Sequence, residues 1–459
     1  MVLTWRYGDS MFSSIRALVP ALLGGLLLAA CQSYSPKPLD DAAHDREWHA
    51  RDVSGGGVRE FAAALARRDS RPRRYDPSDG LDLEEAEVVA LFFNARLRQA
   101  RLEAGAALAG ARHAGEWENP ELNVSAGVIL ASISQPWMAS AGLEFTIPIS
   151  GRKGVERDLA FAEHEVKWRE VLALEWDVIV DVRRLWREQA AHGERILLLE
   201  AHIANLGDVS RRAADLARAG ELAGTDARVF EIELLQSRIE LDDLRAQSRE
   251  QQCAILGLLG LAPAAPLRLN LSLGASLDRR ADGEWPPVSV ARAAYSVAEQ
   301  QLRLEIRKQY PDLRIGPGYE MDEGQSTISL GFGIPLPLIN LNRAGIAKAR
   351  VAREAARAAY EQAREEAAVS AELARLRLER VRAARRQVEE GLAPLVDLQV
   401  REARQRAEAG DFDALLMLEA LKSLREAKER VLQTRLHEAQ AMDALNALKG
   451  PTFKPKDNK

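Results

Sequence analysis

The sequence is poor in cysteine, in aromatic residues and in net charge, and each shortage excludes a class of protein. Two cysteines, Cys31 and Cys253, cannot form a disulfide framework. A net charge of −5 over 459 residues offers no surface for nucleic acid. Aromatic residues make up 5% of the chain and charged residues 29%. This composition, dominated by Ala, Leu, Arg and Glu, is typical of long helices rather than of ordinary globular domains.

Residues with catalytic chemistry form no recognisable constellation. The histidines show no HExxH motif or other metal-ligand spacing, and we expect them to lie at the surface: His44, His49, His113, His164, His192, His202 and His437. We expect Cys253 to be a reduced core residue on a helix. The sequence therefore predicts neither an enzyme nor a cofactor or metal site.

The first 31 residues have the layout of a secretory signal. Arg6 and Arg16 precede an apolar run that is shorter than the roughly 20 residues of a membrane-spanning helix and ends in small residues. The segment Leu28-Ala29-Ala30-Cys31 resembles the lipobox of bacterial lipoproteins. This resemblance implies a signal peptide over 1–30 and a lipidated Cys31, and Gln32 after it implies sorting to the outer membrane. The alternative is an ordinary signal cut near Ala30; Met11 is a second possible start.

Residues 31–80 are polar and interrupted by proline and glycine, so we interpret them as an extended arm with a short helix near Val58–Ala66. At the other end, Gly450-Pro451 stops the last helix, and the lysine-rich residues 450–459 are expected to be disordered.

Most of the remaining chain is an internal duplication. Asn119-Pro120-Glu121-Leu122 recurs as Tyr310-Pro311-Asp312-Leu313, and Gly154-Val155 recurs as Gly345-Ile346, in both cases 191 residues later. A repeat of this length decides the architecture before any other feature. The duplication divides the chain into repeat 1 over 81–285 and repeat 2 over 286–449.

Each repeat pairs one very long helix with shorter ones. The predicted helices span 81–115, 155–219, 225–259, 289–309, 346–409 and 411–448. The helix over 155–219 would be about 98 Å long, whereas helices of globular domains average roughly 11–12 residues. A helix of that length has to pack along a coiled coil, with glycines at 220 and 410 turning each long helix back.

A β-hairpin precedes each long helix. Alternating side chains predict strands over Leu122–Leu130, Ser140–Ile147, Leu313–Tyr319 and Thr327–Ile334, with Trp137 near a hairpin tip. Four strands cannot close a membrane barrel, because the smallest bacterial barrels use about eight and lipid tolerates no open edge. If the strands enter a membrane, several chains have to share one barrel, and three chains would supply twelve strands.

The order of these features resembles the TolC-like outer-membrane efflux proteins, in particular the lipoprotein branch that serves resistance-nodulation-division (RND) pumps, including heavy-metal efflux systems. The resemblance covers about 81–449 and is carried by the lipobox, the strand openings, the segment Ile334-Pro335-Leu336-Pro337, the segment Asn342-Arg343-Ala344-Gly345 and the two glycine turns. It implies a mostly α fold with transmembrane β: a homotrimer with a twelve-stranded outer-membrane barrel on a long periplasmic α-helical coiled-coil barrel. It also implies a periplasmic membrane-fusion (adaptor) protein and an inner-membrane RND pump as partners.

The resemblance assigns function to the helix turns. The periplasmic tips dock the adaptor and close the channel, which points to Gly220, Glu221, Gly410 and Asp411. Close to the second tip, Asp411, Asp413 and Glu419 would form acidic rings in a trimer, and such rings favour cations. Relatives often carry two aspartates three residues apart on this return helix, where this chain has Leu416 and Glu419.

The sequence thus predicts a passive exit duct in the outer membrane for small toxic solutes or metal ions. Two alternatives stay open: a type I protein-secretion duct, and a structural coiled-coil lipoprotein without a pore. The second leaves the duplicated alternating hairpins unexplained.

Overall fold

The computed structural model describes residues 34–68, 75–130, 137–274, 283–322, 325–448 and 450. The chain divides into two units, 1–50 and 51–459. In the first unit α1 (Asp41–His49) is capped by Asp40, whose side chain accepts a hydrogen bond from the Ala43 amide. This helix corrects the expectation of an extended arm between 31 and 50. The predicted signal peptide and Cys31 lie outside the described residues.

The second unit begins with helix α2 (Gly56–Arg68), which confirms the predicted short helix, and continues through α3 (Leu83–Phe93) and α4 (Ala95–His113). The prediction of one helix over 81–115 was wrong, because Asn94 has a non-helical backbone and separates α3 from α4. Its side chain accepts from the Leu97 amide and donates to the Leu258 carbonyl at 2.9 Å. Asn94 thus caps α4 and ties the break to a later helix.

The long helix of repeat 1 is α5 (Arg152–Ala219), 68 residues and therefore about 102 Å in length. Helix α6 (Gly224–Leu258) runs back along it, and α7 (Pro286–Arg307) follows further on. All three lie within three residues of their predicted bounds. Val171, Val178 and Val182 on one side of α5 are almost fully shielded from solvent.

The long helix of repeat 2 differs from that of repeat 1. It consists of α8 (Arg343–Arg386), a π-helical segment (Gln387–Leu392) and α9 (Ala393–Glu408), and α10 (Ala414–Ala447) returns along it. The prediction of one regular helix over 346–409 overlooked Pro394, which has no backbone N–H to donate inside a helix. The helix accommodates the proline by a local π segment rather than by ending.

The strands form one antiparallel sheet in the order β1-β2-β3-β4, with β1 (Glu121–Val128), β2 (Trp137–Ile147), β3 (Leu313–Asp322) and β4 (Gln325–Gly333). Both predicted hairpins are confirmed, and β2 pairs with β3 to join them. Strands β1 and β4 are the edges of this sheet. The largest differences from the predicted bounds are three residues, at the start of β2 and at the end of β3.

Three buried clusters hold the described helices together. The largest one packs α3 and the end of α6 against α5 around Trp176, Trp186 and Leu259. Trp176 and Trp186 are buried, and Trp176 Nε1 also donates to the Ala447 carbonyl at the end of α10, 2.7 Å away. This cluster therefore joins the first helices of the unit to the last.

Two single-residue expectations were wrong. Cys253 is exposed on α6 rather than buried in the core. His202 is buried rather than at the surface, because α5 carries it into the interface with α6 and α10.

Candidate functional site

The two long helices end in the same way at the predicted tips. Gly220 and Gly410 have φ angles of +81° and +91°, in the left-handed region that glycine enters without steric cost. The Gly220 amide donates to Ala217 O and the Glu221 amide to Leu216 O. At the second tip, the Gly410 amide donates to Ala407 O and the Asp411 amide donates to Arg406 O. Both are Schellman caps, which satisfy the last carbonyls of each helix.

The tips are packed against each other. A buried cluster takes residues from the ends of all four helices: Leu206 and Ala213 of α5, Ala227 and Phe230 of α6, Val400 and Ala403 of α9, and Ala414, Met417, Leu418, Ala420 and Leu421 of α10. The rings of Phe230 and Phe412 lie 6.2 Å apart across the two turns. The two helical hairpins of one chain therefore end as a single packed unit.

The three predicted acids have different environments at this end. Asp411 accepts from the Arg406 guanidinium at 2.8 and 3.1 Å. Asp413 is the N-cap of α10 and accepts from the Leu416 amide at 3.0 Å. Glu419 is exposed, six residues further along α10, and has no ion pair within the described part of the chain. Glu419 is therefore the least compensated of the three carboxylates, while Leu416 packs on the tip cluster.

Sequence reasoning missed a polar layer between the two hairpins, above the tips. Lys422 and Arg425 of α10 reach across to Glu233 and Glu240 of α6 at 2.7 and 2.8 Å. His202 of α5 is buried beside these groups, and its Nε2 has no hydrogen-bond partner in the part that the structure describes. Burial, and next to it the positive charge of Arg425, lower the pKa of His202. The signal that could have located it is the heptad position of His202 between Leu199 and Leu206, which are both buried.

The sheet presents an apolar face at its edge strands. Ile328, Leu330 and Phe332 alternate along β4 with exposed fractions of 85%, 56% and 67%. On β1 the alternating residues Leu122, Val124 and Val128 are also exposed. Ile328, Leu330 and Phe332 share one side of β4. The alternate positions are occupied by Thr327, Ser329, Gly331 and Gly333. Exposed apolar alternation of this kind is typical of membrane strands.

Among the described residues, no group of three or more histidine, cysteine, aspartate or glutamate side chains could hold a metal ion. Within the same residues, no helix is both long and apolar enough to cross a membrane.

No protein-family model matches the chain. The cobalt-zinc-cadmium resistance protein CzcC of Cupriavidus metallidurans is 24% identical over 383 residues, which are 81% of this chain and 90% of CzcC. The outer membrane protein VceC of Vibrio cholerae has a TM-score of 0.69 at 17% identity, over 80% of this chain and 96% of VceC. The open state of the outer membrane channel MtrE of Neisseria gonorrhoeae has a TM-score of 0.66 at 17% identity, over 82% and 91% of the two chains.

These similarities confirm the resemblance that the sequence indicated. The chain has the fold of the TolC-like outer-membrane channels, with a helical coiled-coil body and a β-sheet. The similar proteins are described as a cobalt-zinc-cadmium resistance protein, an outer membrane protein and an outer membrane channel.

Proposed function

We propose that this chain is the outer-membrane channel subunit of a tripartite efflux pump, the passive duct through which cargo leaves the cell. The proposal rests on one observation, the direct connection between the β-sheet and the helical hairpins. A four-stranded sheet with an apolar outer face is joined directly to two coiled-coil hairpins, and each long helix is about 100 Å in length. The shared fold with VceC and MtrE, both described as outer-membrane proteins, supports it.

The assembled channel is a homotrimer. Within the described part of the chain, the outer edges of β1 and β4 have no strand partner, and such edges are not tolerated in lipid. Three copies give twelve strands, an even number within the range of bacterial barrels. The helices then form a tunnel that starts at the membrane and ends at Gly220 and Gly410.

The far end of the tunnel is both the docking site and the gate. Gly220, Glu221, Gly410 and Asp411 face the periplasmic adaptor protein, which links the channel to an inner-membrane RND pump. The carboxylates of Asp411, Asp413 and Glu419, repeated three times around the axis, line the aperture. The chain supplies no energy for transport, and the pump does.

The protein is anchored in the outer membrane by acyl chains on Cys31 as well as by its barrel. The lipobox Leu28-Ala29-Ala30-Cys31 carries this proposal. Intact-mass measurement of protein extracted from membranes tests it: a mature chain that begins at an acylated Cys31 is expected. A mature chain with another N-terminus and an unmodified Cys31 would overturn the anchor and leave the channel proposal standing.

The cargo is a small toxic solute or a metal ion, and divalent cobalt, zinc and cadmium are the first candidates because of the similarity to CzcC. Purified protein in planar bilayers should conduct in discrete steps, and native mass spectrometry should give a trimer. A gene deletion should raise sensitivity to the cargo, with restoration by the intact gene. A monomer without conductance would refute the channel function. A conducting trimer whose loss leaves metal tolerance unchanged would refute only the metal cargo.

A further inference from the structure

The sheet of one chain has two open edges, at β1 and β4. The pairing of β2 with β3 within the chain is a template for how these edges meet in two copies. Strands β2 and β3 belong to different repeats and pair within one chain, with Ile147 opposite Leu313. In the duplication, the segment at the end of β2 (Ile147-Pro148-Ile149) corresponds to Ile334-Pro335-Leu336 after β4, and Leu313 corresponds to Leu122 of β1. The β2–β3 pairing therefore specifies how β4 of one chain meets β1 of the next.

The register derived from this template matches the chemistry of the edges. With Ile334 opposite Leu122, Phe332 lies opposite Val124 and Ile328 opposite Val128, so each exposed apolar residue of β4 has an apolar neighbour. A slip by one residue would place these two sets on opposite faces of the sheet.

An ion pair fixes the β2–β3 junction at its helical end. Arg152, the first residue of α5, reaches Asp312 at the start of β3, with 3.0 Å between Nη1 and Oδ2. The duplication equates Arg152 with Arg343 and Asp312 with Glu121. Both Arg343 and Glu121 are exposed and have no ion pair within the described ranges. Glu121 also lies directly opposite Glu144 in the sheet, and Arg314 forms an ion pair with Glu144 at 3.5 Å but not with Glu121 within the described ranges.

The backbone before Arg343 has the same conformation as the backbone before Arg152. The preceding residues, Gly151 and Asn342, are both left-handed N-caps, with φ of 69° and 51°. Repeat 2 has four more residues between its strand and this cap. The Asn342 side chain nevertheless holds the cap in place by donating to the carboxylate and the carbonyl of Glu305, at 2.7 and 2.9 Å. The longer connection therefore still starts its helix in the conformation that the template requires.

We propose that β4 of one copy pairs antiparallel with β1 of the next in the register Ile334–Leu122, and that Arg343 forms an intersubunit ion pair with Glu121. The proposal rests on the proposed function, which supplies the second copy, and names the residues at each subunit boundary. The contact is heterologous, since the two edges differ, so repeating it three times closes a ring.

Engineered disulfides test the register. In a Cys253→Ser background, Gly333→Cys is combined with Asn123→Cys, the pair that corresponds to Thr146 and Arg314 in the template. A side chain at 333 meets only the Arg314 Cβ at 3.6 Å, an ordinary contact. Directly opposite residues lie about 4.5–5.5 Å apart, within reach of a disulfide. The matched control, Gly333→Cys with Ser125→Cys, faces the same side but is displaced along β1 by two residues.

The expected result is a covalent trimer on non-reducing gels for the 333/123 pair and little product for the 333/125 pair. Efficient cross-linking of the displaced pair with failure of the first would overturn the register and leave the trimer intact. Wild-type protein that stays monomeric by native mass spectrometry would instead overturn the proposed function. The two failures are thus distinguishable.

Charge reversal tests the ion pair without cysteines. Arg343→Glu and Glu121→Arg should each lower the trimer-to-monomer ratio, by up to about fivefold for every junction, since an exposed pair contributes modestly. The double variant should restore the wild-type ratio. Arg350→Glu, a reversal at an exposed arginine two turns into α8, is the control and should have less effect. Single variants that both behave as wild type, or a double variant that is no better than either single one, would refute the pair.

Discussion

The guanidinium of Arg183 donates to the carboxylate of Glu87 across 2.7 Å, where neither side chain has more than 1% of its surface exposed. Arg183 belongs to α5 and Glu87 to α3, and the guanidinium also lies 5.9 Å from the centre of the Trp176 ring. The pair therefore joins the start of the second unit to the long helix of repeat 1. Buried charges persist only when their partners compensate them.

Replacing Glu87 by Gln should destabilise the protein by about 3–5 kcal/mol, because it removes the hydrogen-bonded carboxylate of Arg183 in the core and leaves only the weaker interactions with Asp443 and Glu84 among the described residues. The measurement is the thermal loss of helical signal by circular dichroism. Asp181→Asn is the control, since Asp181 forms a solvent-exposed pair with Arg184, and it should change stability by less than about 1 kcal/mol. The double variant Glu87→Leu with Arg183→Met should recover much of the loss. Equal effects of Glu87→Gln and Asp181→Asn would contradict the argument.

The helices and strands of this fold could be predicted because the side chains along each follow the spacing of a helix or a strand. The turns at Gly220 and Gly410 require positive φ, and the alternation in β4 identifies one face of a strand. Two of the errors occurred where a residue acts through tertiary contacts. Asn94 ends one helix by donating to Leu258, which is distant in sequence. His202 is buried by helices that the sequence does not place beside it.

His202 should make stability depend on pH. Its pKa is lowered in the folded protein, first by burial and then by Arg425; Lys422 also lowers it, while Glu233 and Glu240 oppose the shift. The unfolded chain therefore takes up a proton below about pH 6.5, at which the folded chain does not yet do so. Stability is expected to fall as pH decreases from 7 through this range.

His202→Gln removes the titrating group, so the melting temperature of this variant should decrease less between pH 7 and pH 5 than that of the wild type. His437→Gln changes an exposed histidine of α10 and serves as the control. If His202→Gln and His437→Gln alter the pH dependence equally, the burial of His202 is not its cause.

Single cysteines along β4 should react in alternation with a water-soluble thiol reagent. Positions 327, 329, 331 and 333 would face the aqueous lumen, and Ile328, Leu330 and Phe332 would face lipid. The experiment uses Cys253→Ser protein in vesicles and compares labelling of adjacent positions. After detergent extraction the difference should shrink, which controls for intrinsic reactivity. Uniform labelling in vesicles would mean that β4 is not a membrane strand.

The acids at the second tip should contribute unequally to ion preference. Asp411 forms an ion pair with Arg406. The Asp413 carboxylate accepts a hydrogen bond from a backbone amide at the N-terminus of α10. Glu419 is exposed without an ion pair in the described residues, so its charge is the least offset. In a trimer, three copies of Glu419 would converge near the closed end and attract cations, and added salt would weaken this attraction.

Glu419→Gln preserves the size of the side chain and removes its charge, so trimers should still assemble while the preference for cations decreases. The measurement is the reversal potential in a potassium chloride gradient across a planar bilayer. The Asp411→Asn and Asp413→Asn double variant should shift this potential less than Glu419→Gln does, because part of its charge is already neutralised. Glu250→Gln, at an exposed glutamate near the far end of α6, is the control. A reversal potential that stays unchanged in both the Glu419 variant and the double variant would place the constriction at other residues. The reason is that a ring of three carboxylates at the narrowest point cannot lose its charge without altering the electric field that permeating ions cross.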